Sequence, residues 1–168
     1  WRSEQVMSDV SIGLVGAAGR MGQMLVKQIG DTPGAKLAAA SEAPNGAAVG
    51  KDAGDLAGVG RLGVPISGSP DSVFERSQVV IDFTVPKATV AHAELAAQQG
   101  TAMVVGTTGL SAEEGARIRA ASAKAPITPG GIVGTACVTA SSRTRGESTV
   151  VSTRNVPVRR SSTSTSPG

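Results

Sequence analysis

Apolar positions along the chain fall into short unbroken runs that alternate with stretches of helical periodicity. Val10–Val15 is such a run and stops at Gly16, as a buried strand does. From Arg20 to Ile29 the pattern changes, with Met21, Met24, Leu25, Gln28 and Ile29 at helical spacing. Lys36–Ala40 reads as a weak second strand. Residues 43–65 are rich in Gly and Ala and are expected to form a long loop or small turns, with Val64–Ile66 a short strand at their end. Asp71–Arg76 predicts a short helix, and Val79–Phe83 (VVIDF) a clear strand. Ala88–Gln99 predicts a helix closed by Gly100 as its C-cap glycine. Ala102–Val105 is the next strand and Ser111–Ala123 the next helix. Ser111 with Glu114 three residues on makes a capping box. Strands alternating with helices imply βαβ units on a parallel sheet: an α/β, Rossmann-like, doubly wound fold.

Composition narrows the classes of function. A chain of 168 residues holds one ordinary domain. Trp1, Phe74 and Phe83 are its only aromatic residues, which argues against reading nucleic acid by stacking bases on rings. A single cysteine, Cys137, excludes a disulfide framework and a cysteine metal cluster, and fits a reducing compartment. A single histidine, His92, excludes a multi-histidine metal centre. No apolar run approaches the ~18 residues of a membrane span. The opening WRSEQVMSDV lacks the apolar stretch of a secretory signal, and residues 1–8 are expected to be a flexible lead.

Charge divides the chain near Ile127. Residues 1–127 hold 11 Lys and Arg against 12 Asp and Glu, whereas residues 128–168 hold five Arg and one acid, Glu147. The net charge of +3 therefore belongs to the tail. Ser and Thr supply 16 of the tail's 41 residues, and it has no Leu, Met, Phe, Tyr or Trp. Such a segment buries too little apolar surface to offset the entropy of ordering it, so 128–168 is expected to be mostly disordered, with a short strand around Thr149–Thr153 as an option. The domain proper is read as 9–127.

The first strand runs into Gly16-Ala17-Ala18-Gly19-Arg20-Met21-Gly22, a G-x-x-G-x-x-G variant of the dinucleotide fingerprint. Gly16 permits the tight turn, Gly19 a close approach of backbone to pyrophosphate, and Gly22 the packing of helix on sheet. The helix start offers free N–H groups and the positive end of its dipole to phosphate. Arg20 adds charge there or points to solvent. Glu42, about 20 residues beyond Gly22 and just after the second strand, stands where an acid holds the adenosine ribose hydroxyls. A glycine-rich packing turn with Glu42 solvated is the alternative.

Ligands of a doubly wound sheet sit beyond the carboxyl ends of its strands. Asp82-Phe83-Thr84 and Gly106-Thr107-Thr108-Gly109 end the third and fourth clear strands, so both would line the same crevice. Thr107, Thr108 and the amides beside Gly106 are candidates for the nicotinamide side, or form a plain polar turn. Phe83 belongs to the core or, beside Thr84, touches cofactor. His92, inside a helix with no partner at i±4, is read as a half-exposed surface histidine. Cys137 is an incidental thiol, and the tail arginines are solvated charge. No general acid, nucleophile or metal site is assigned.

Several segments together carry a resemblance: Val15–Gly22, Ala39-Ala40-Ser41-Glu42, Gly50–Gly58, Val80–Pro86 and Val104–Leu110. In order and spacing, residues 9–127 resemble the amino-terminal domain of the 4-hydroxy-tetrahydrodipicolinate (dihydrodipicolinate) reductase family. The resemblance implies a two-domain, homotetrameric cytoplasmic enzyme of the diaminopimelate route to lysine. Such an enzyme transfers hydride from NADPH or NADH to a small cyclic dicarboxylate, with no nucleic-acid or membrane partner. By position, Gly16, Ala17, Ala18, Gly19, Arg20 and Met21 would hold the pyrophosphate, Glu42 the adenosine ribose, and Gly106, Thr107 and Thr108 the nicotinamide side.

Two departures stand out. Many members carry an Arg after the acid, favouring the 2′-phosphate of NADPH, and here that position is Ala43. After Ile127 the family's Asn-containing loop, His-His pair, Lys and Ser-Gly-Thr motif do not appear. Gly134-Thr135-Ala136 echoes the last of these but lies too early. The break in composition suggests a changed reading frame or a truncated gene. Two readings follow: a reductase chain lacking its catalytic domain, or a non-catalytic dinucleotide-binding remnant or interaction module with a basic arm.

Overall fold

In the computed structural model, which describes residues 9–129, the strands are Val10–Val15 (β1), Ala35–Ser41 (β2), Ile66–Ser67 (β3), Val79–Asp82 (β4), Ala102–Val105 (β5) and Ile127–Pro129 (β6). The helices are Arg20–Gly30 (α1), Ala53–Ala57 (α2), Asp71–Arg76 (α3), Pro86–Gln99 (α4) and Ala112–Ala121 (α5). The sheet has the order β3-β2-β1-β4-β5-β6 with every neighbouring pair parallel. The chain winds outward from β1 through β2 to β3, returns beside β1 as β4, and winds outward again. The expected Rossmann-like architecture is thus present.

Strand alternation divides the core between the two faces. Val15, Val80, Met103 and Val105 pack with Phe74, Val90, Ala93, Ala96 and Ile118 of α3, α4 and α5. Leu14, Ala40 and Ile66 pack with Ala17, Val26 and Ala53 on the other face, under α1 and α2. Phe74 is the largest fully buried side chain, and its burial contributes about 2–3 kcal/mol.

Several boundaries differ from those the sequence suggests. The buried face of α1 is Gly22, Val26 and Ile29, while Met21 and Met24 are exposed. The rotation of the helix is set by Gly22, which must lie against the glycine turn. α4 starts at Pro86, two residues earlier than expected, because proline at the first turn needs no N–H partner and has its φ already set. Within the expected loop 43–65, Asp52 caps a short helix, α2. The strand at the end of that loop is Ile66–Ser67 rather than Val64–Ile66. The boundary at 127 cuts through β6, since Val104 and Val105 pair with Thr128 and Pro129. Cys137, the tail arginines, the option of a strand at 149–153 and the lead at 1–8 lie outside the described residues. The capping box stands as read: the Ser111 hydroxyl accepts from the Glu114 amide, and the Glu114 carboxylate accepts from the Ser111 amide.

Candidate functional site: a cleft at the carboxyl ends of β1, β2 and β4

The return of the chain from β3 to β4 opens a crevice beside β1, and a cleft of about 420 Å³ lies there. Gly16, Gly19, Glu42, Phe83, Thr84 and His92 are among the residues lining it, and among the described residues no Lys or Arg does so. A second hollow of about 450 Å³, between α4 and α5, is remote from these strand ends and has Glu94, Arg117 and Lys124 on its walls.

One end of the cleft is built from backbone. Gly16 has φ +82°, a conformation few side chains tolerate. A Cβ on Gly16 would lie 2.5 Å from the Phe83 carbonyl oxygen, so the glycine turn and the end of β4 touch through bare main chain. A Cβ on Gly22 would lie 2.7 Å from the Ala17 carbonyl carbon, and only glycine lets α1 start this close to the turn. Gly19 is the N-cap of α1 and supplies no side-chain cap, so the first amides of the helix keep no intrahelical acceptor. Arg20 and Met21 are exposed at that start.

Glu42 crosses from β2 to this turn. Its carboxylate accepts from the Ala18 amide at 2.9 Å and from the Ala43 amide at 3.1 Å. Glu42 is therefore a fixed, half-buried carboxylate facing the glycine turn rather than a solvated one.

The other end is built from side chains. Phe83 lines the cleft, and its ring covers Gly106 so closely that a Cβ there would lie 2.5 Å from a ring carbon. Beneath it lies Asp82, fully buried at the end of β4. Its Oδ1 accepts from the Thr84 amide at 2.8 Å, the Thr84 hydroxyl at 2.6 Å and the Thr107 hydroxyl at 3.3 Å. The Thr107 oxygen in turn accepts from the Thr89 hydroxyl at 2.7 Å and the Thr84 amide at 3.1 Å. Thr108 is exposed on the loop beyond.

His92 corrects the surface reading. Its side chain is only 12% exposed, and its Nδ1 lies 2.9 Å from Asp82 Oδ2. Its ring packs near Phe74, with centroids 6.1 Å apart. The partner was missed because it sits ten residues back on a strand rather than at i±4 on the helix. The available clue was helical phase: His92 is three residues after Thr89 and four before Ala96, both buried.

Away from the cleft, Asp52 holds the 43–65 segment in shape. Its Oδ1 accepts from the amides of Gly54, Asp55 and Leu62, and its Oδ2 from Val64. The Leu62 hydrogen bond, with those of Asp55, Gly54 and Val64 and against an opposing effect of burial, holds the carboxyl below its ordinary value of 3.8. Among the described residues no group of three or more His, Cys, Asp or Glu is placed to hold a metal ion. Among them, too, no helix is long and apolar enough to cross a membrane.

Comparison with known proteins agrees with this architecture. The 4-hydroxy-tetrahydrodipicolinate reductase of Sinorhizobium medicae (strain WSM419) is 49% identical over 124 residues, which is 74% of this chain and 46% of that protein. The reductase of the same name from Magnetococcus marinus is 48% identical over 118 residues, 70% of this chain and 44% of that one. The chain thus spans slightly less than half the length of these relatives. Among solved structures, an amine dehydrogenase from Mycobacterium smegmatis matches with a TM-score of 0.59 at 23% identity, over 73% of this chain and 38% of that one. A dipicolinate-bound dihydrodipicolinate reductase from Paenisporosarcina sp. TG-14 matches with a TM-score of 0.51 at 23% identity, over 68% of this chain and 43% of that one. Both structural matches speak for the fold alone. The family described as "Dihydrodipicolinate reductase, N-terminus" matches residues 10–130, most of the chain, and the chain belongs to it.

Proposed function

We propose that this chain supplies the nicotinamide-dinucleotide half of a 4-hydroxy-tetrahydrodipicolinate reductase, an oxidoreductase of the diaminopimelate route to lysine. The observation that carries the reading is the start of α1: a helix whose first amides have no side-chain cap, set behind a turn too tight for a Cβ at Gly16 or Gly22. Such a cradle fits a pyrophosphate, whose oxygens take the free N–H groups and the positive end of the helix dipole. Gly16, Ala17, Ala18, Gly19, Arg20 and Met21 form this part of the site. Glu42, fixed by the Ala18 amide, turns a carboxylate toward the adenosine ribose. Across the cleft Phe83 and Thr84 line the wall assigned to the nicotinamide end, backed by Gly106 against the Phe83 ring and Thr107 on the Thr84 amide, with Thr108 on the exposed loop beyond.

A reduced nicotinamide bound there supplies hydride. The chain's own residues bind and orient the nucleotide, and the Phe83 ring narrows the space that water would otherwise fill beside Gly106. Among the described residues no Lys or Arg lines the cleft to receive the carboxylates of a dicarboxylate substrate, and Arg20 stands at the pyrophosphate end. Binding of that substrate and delivery of a proton to the product therefore belong to groups outside it. The fixed Glu42 carboxylate, with Ala43 beside it, also gives a 2′-phosphate repulsion without a cationic partner, so NADH is favoured over NADPH.

Calorimetric titration of the 168-residue chain tests this reading. Saturable binding of NADH is expected, with no turnover of 4-hydroxy-tetrahydrodipicolinate by this chain alone. Ala43→Arg should strengthen NADPH binding about tenfold, the scale of one charge-assisted hydrogen bond. If neither nucleotide binds, the reading fails. A non-catalytic dinucleotide-binding module is the second reading, favoured by the same lack of cations in the cleft. Turnover regained on joining residues 1–129 to the second half of a relative would decide for the first.

A further inference from the structure

We infer that Asp82 and His92 are positioning residues that set the affinity of the cleft for the nicotinamide end of the nucleotide. The inference rests on the dinucleotide reading above. Asp82 is fully buried, and among the described residues it has no Lys or Arg partner. A buried carboxylate is costly, and apolar residues of the same volume serve stability as well or better. What this carboxylate achieves is connection. Oδ1 ties the β4–α4 turn, through both the amide and the hydroxyl of Thr84, to the β5–α5 turn through Thr107. Oδ2 ties the same point to α4 through His92 Nδ1.

These links orient Thr84, and they hold Phe83, the residue between Asp82 and Thr84, over Gly106. With Nδ1–H of His92 donating to Oδ2, the carboxylate cannot rotate without breaking a bond at each oxygen. Among the described residues, Glu42 and the first amides of α1 share no side-chain hydrogen bond with this network, which the glycine turn meets only through main chain at the Phe83 carbonyl. Its loss should therefore be felt at one end of the nucleotide only.

The test compares NADH with ADP-ribose, which lacks the nicotinamide, by calorimetry on the 168-residue chain. His92→Ala should weaken NADH about tenfold, as expected for loss of a hydrogen bond to a charged group, and ADP-ribose less than about twofold. His92→Asn, which keeps an N–H donor near Nδ1, should recover NADH affinity to within about threefold of the parent. If His92→Ala does not fold, Thr89→Val, which removes a buried hydroxyl that supports Thr107 and does not line the cleft, provides the comparison from the other side of the network. Unchanged NADH affinity in a variant that binds ADP-ribose normally overturns the inference and leaves the dinucleotide reading standing. Equal weakening of both ligands also overturns it, since a merely structural network would lower them together. Failure of the parent to bind either NADH or ADP-ribose overturns both.

Discussion

The two halves of the sheet organise their polar groups by different means. On the β1–β3 side, carboxylates are satisfied by main chain: Glu42 by the amides of Ala18 and Ala43, Asp52 by those of Gly54, Asp55, Leu62 and Val64. On the β4–β6 side Asp82 takes one amide and otherwise side chains, those of Thr84, Thr107 and His92. The difference teaches where each half is vulnerable. A site made of backbone tolerates changes of side-chain chemistry but has no room for an added atom. A site made of hydroxyls and an imidazole has room but depends on which atoms fill it.

The sharpest way to break the comparison is Gly22→Ala. One methyl group placed 2.7 Å from the Ala17 carbonyl carbon must move main chain, and a loss of about 3 kcal/mol in urea unfolding is expected, with loss of NADH binding. A loss below about 1 kcal/mol would show the turn to be more compliant than its geometry implies. In the other half, Thr89→Val keeps shape and removes a hydroxyl that donates to Thr107 at 2.7 Å and makes a longer, 3.3 Å contact with the Thr84 hydroxyl. About 1 kcal/mol is expected from the same measurement, the net worth of one hydrogen bond.

The smallest effect concerns pH. Because folding holds the Asp52 carboxyl below its ordinary value of 3.8, the group binds protons more readily in the unfolded chain. Its stabilisation is fully present above about pH 4 and is lost as pH falls below 3.8 through the folded value. The stability gap between the parent and Asp52→Asn should therefore narrow between pH 6 and pH 3. A gap that stays constant across that range would mean that Asp52 acts through shape rather than charge.

Much of this was legible beforehand, and the reasons are physical. β1, β4 and β5 are short, largely apolar runs whose residues are mostly buried or half-buried, so they need no partner to be recognised. The glycine turn and the Ser111–Glu114 box are local, each complete within a few residues. α2 was not legible, because its cap draws on Leu62 and Val64 as well as on its own first amides, and Gly54 lowers its helical character. The Asp82–His92 pair was not legible either, since only the folded sheet brings the end of β4 under the second turn of α4. Thr84 and Thr107, candidates by their position at strand ends, share one hydrogen-bond network, whereas the buried carboxylate that links them was not singled out.

The missing cap of α1 has one further consequence. A helix start with orphan amides is an unfinished piece of secondary structure, completed by water or by whatever anion settles there. Ligand and first turn then share one equilibrium: binding adds to folding stability in proportion to the logarithm of ligand concentration over its dissociation constant. The chain should melt higher as pyrophosphate-bearing ligand is added. The first amides to slow their exchange with solvent should be those of residues 20–22, where the protein has left a hydrogen-bond set for its ligand to close.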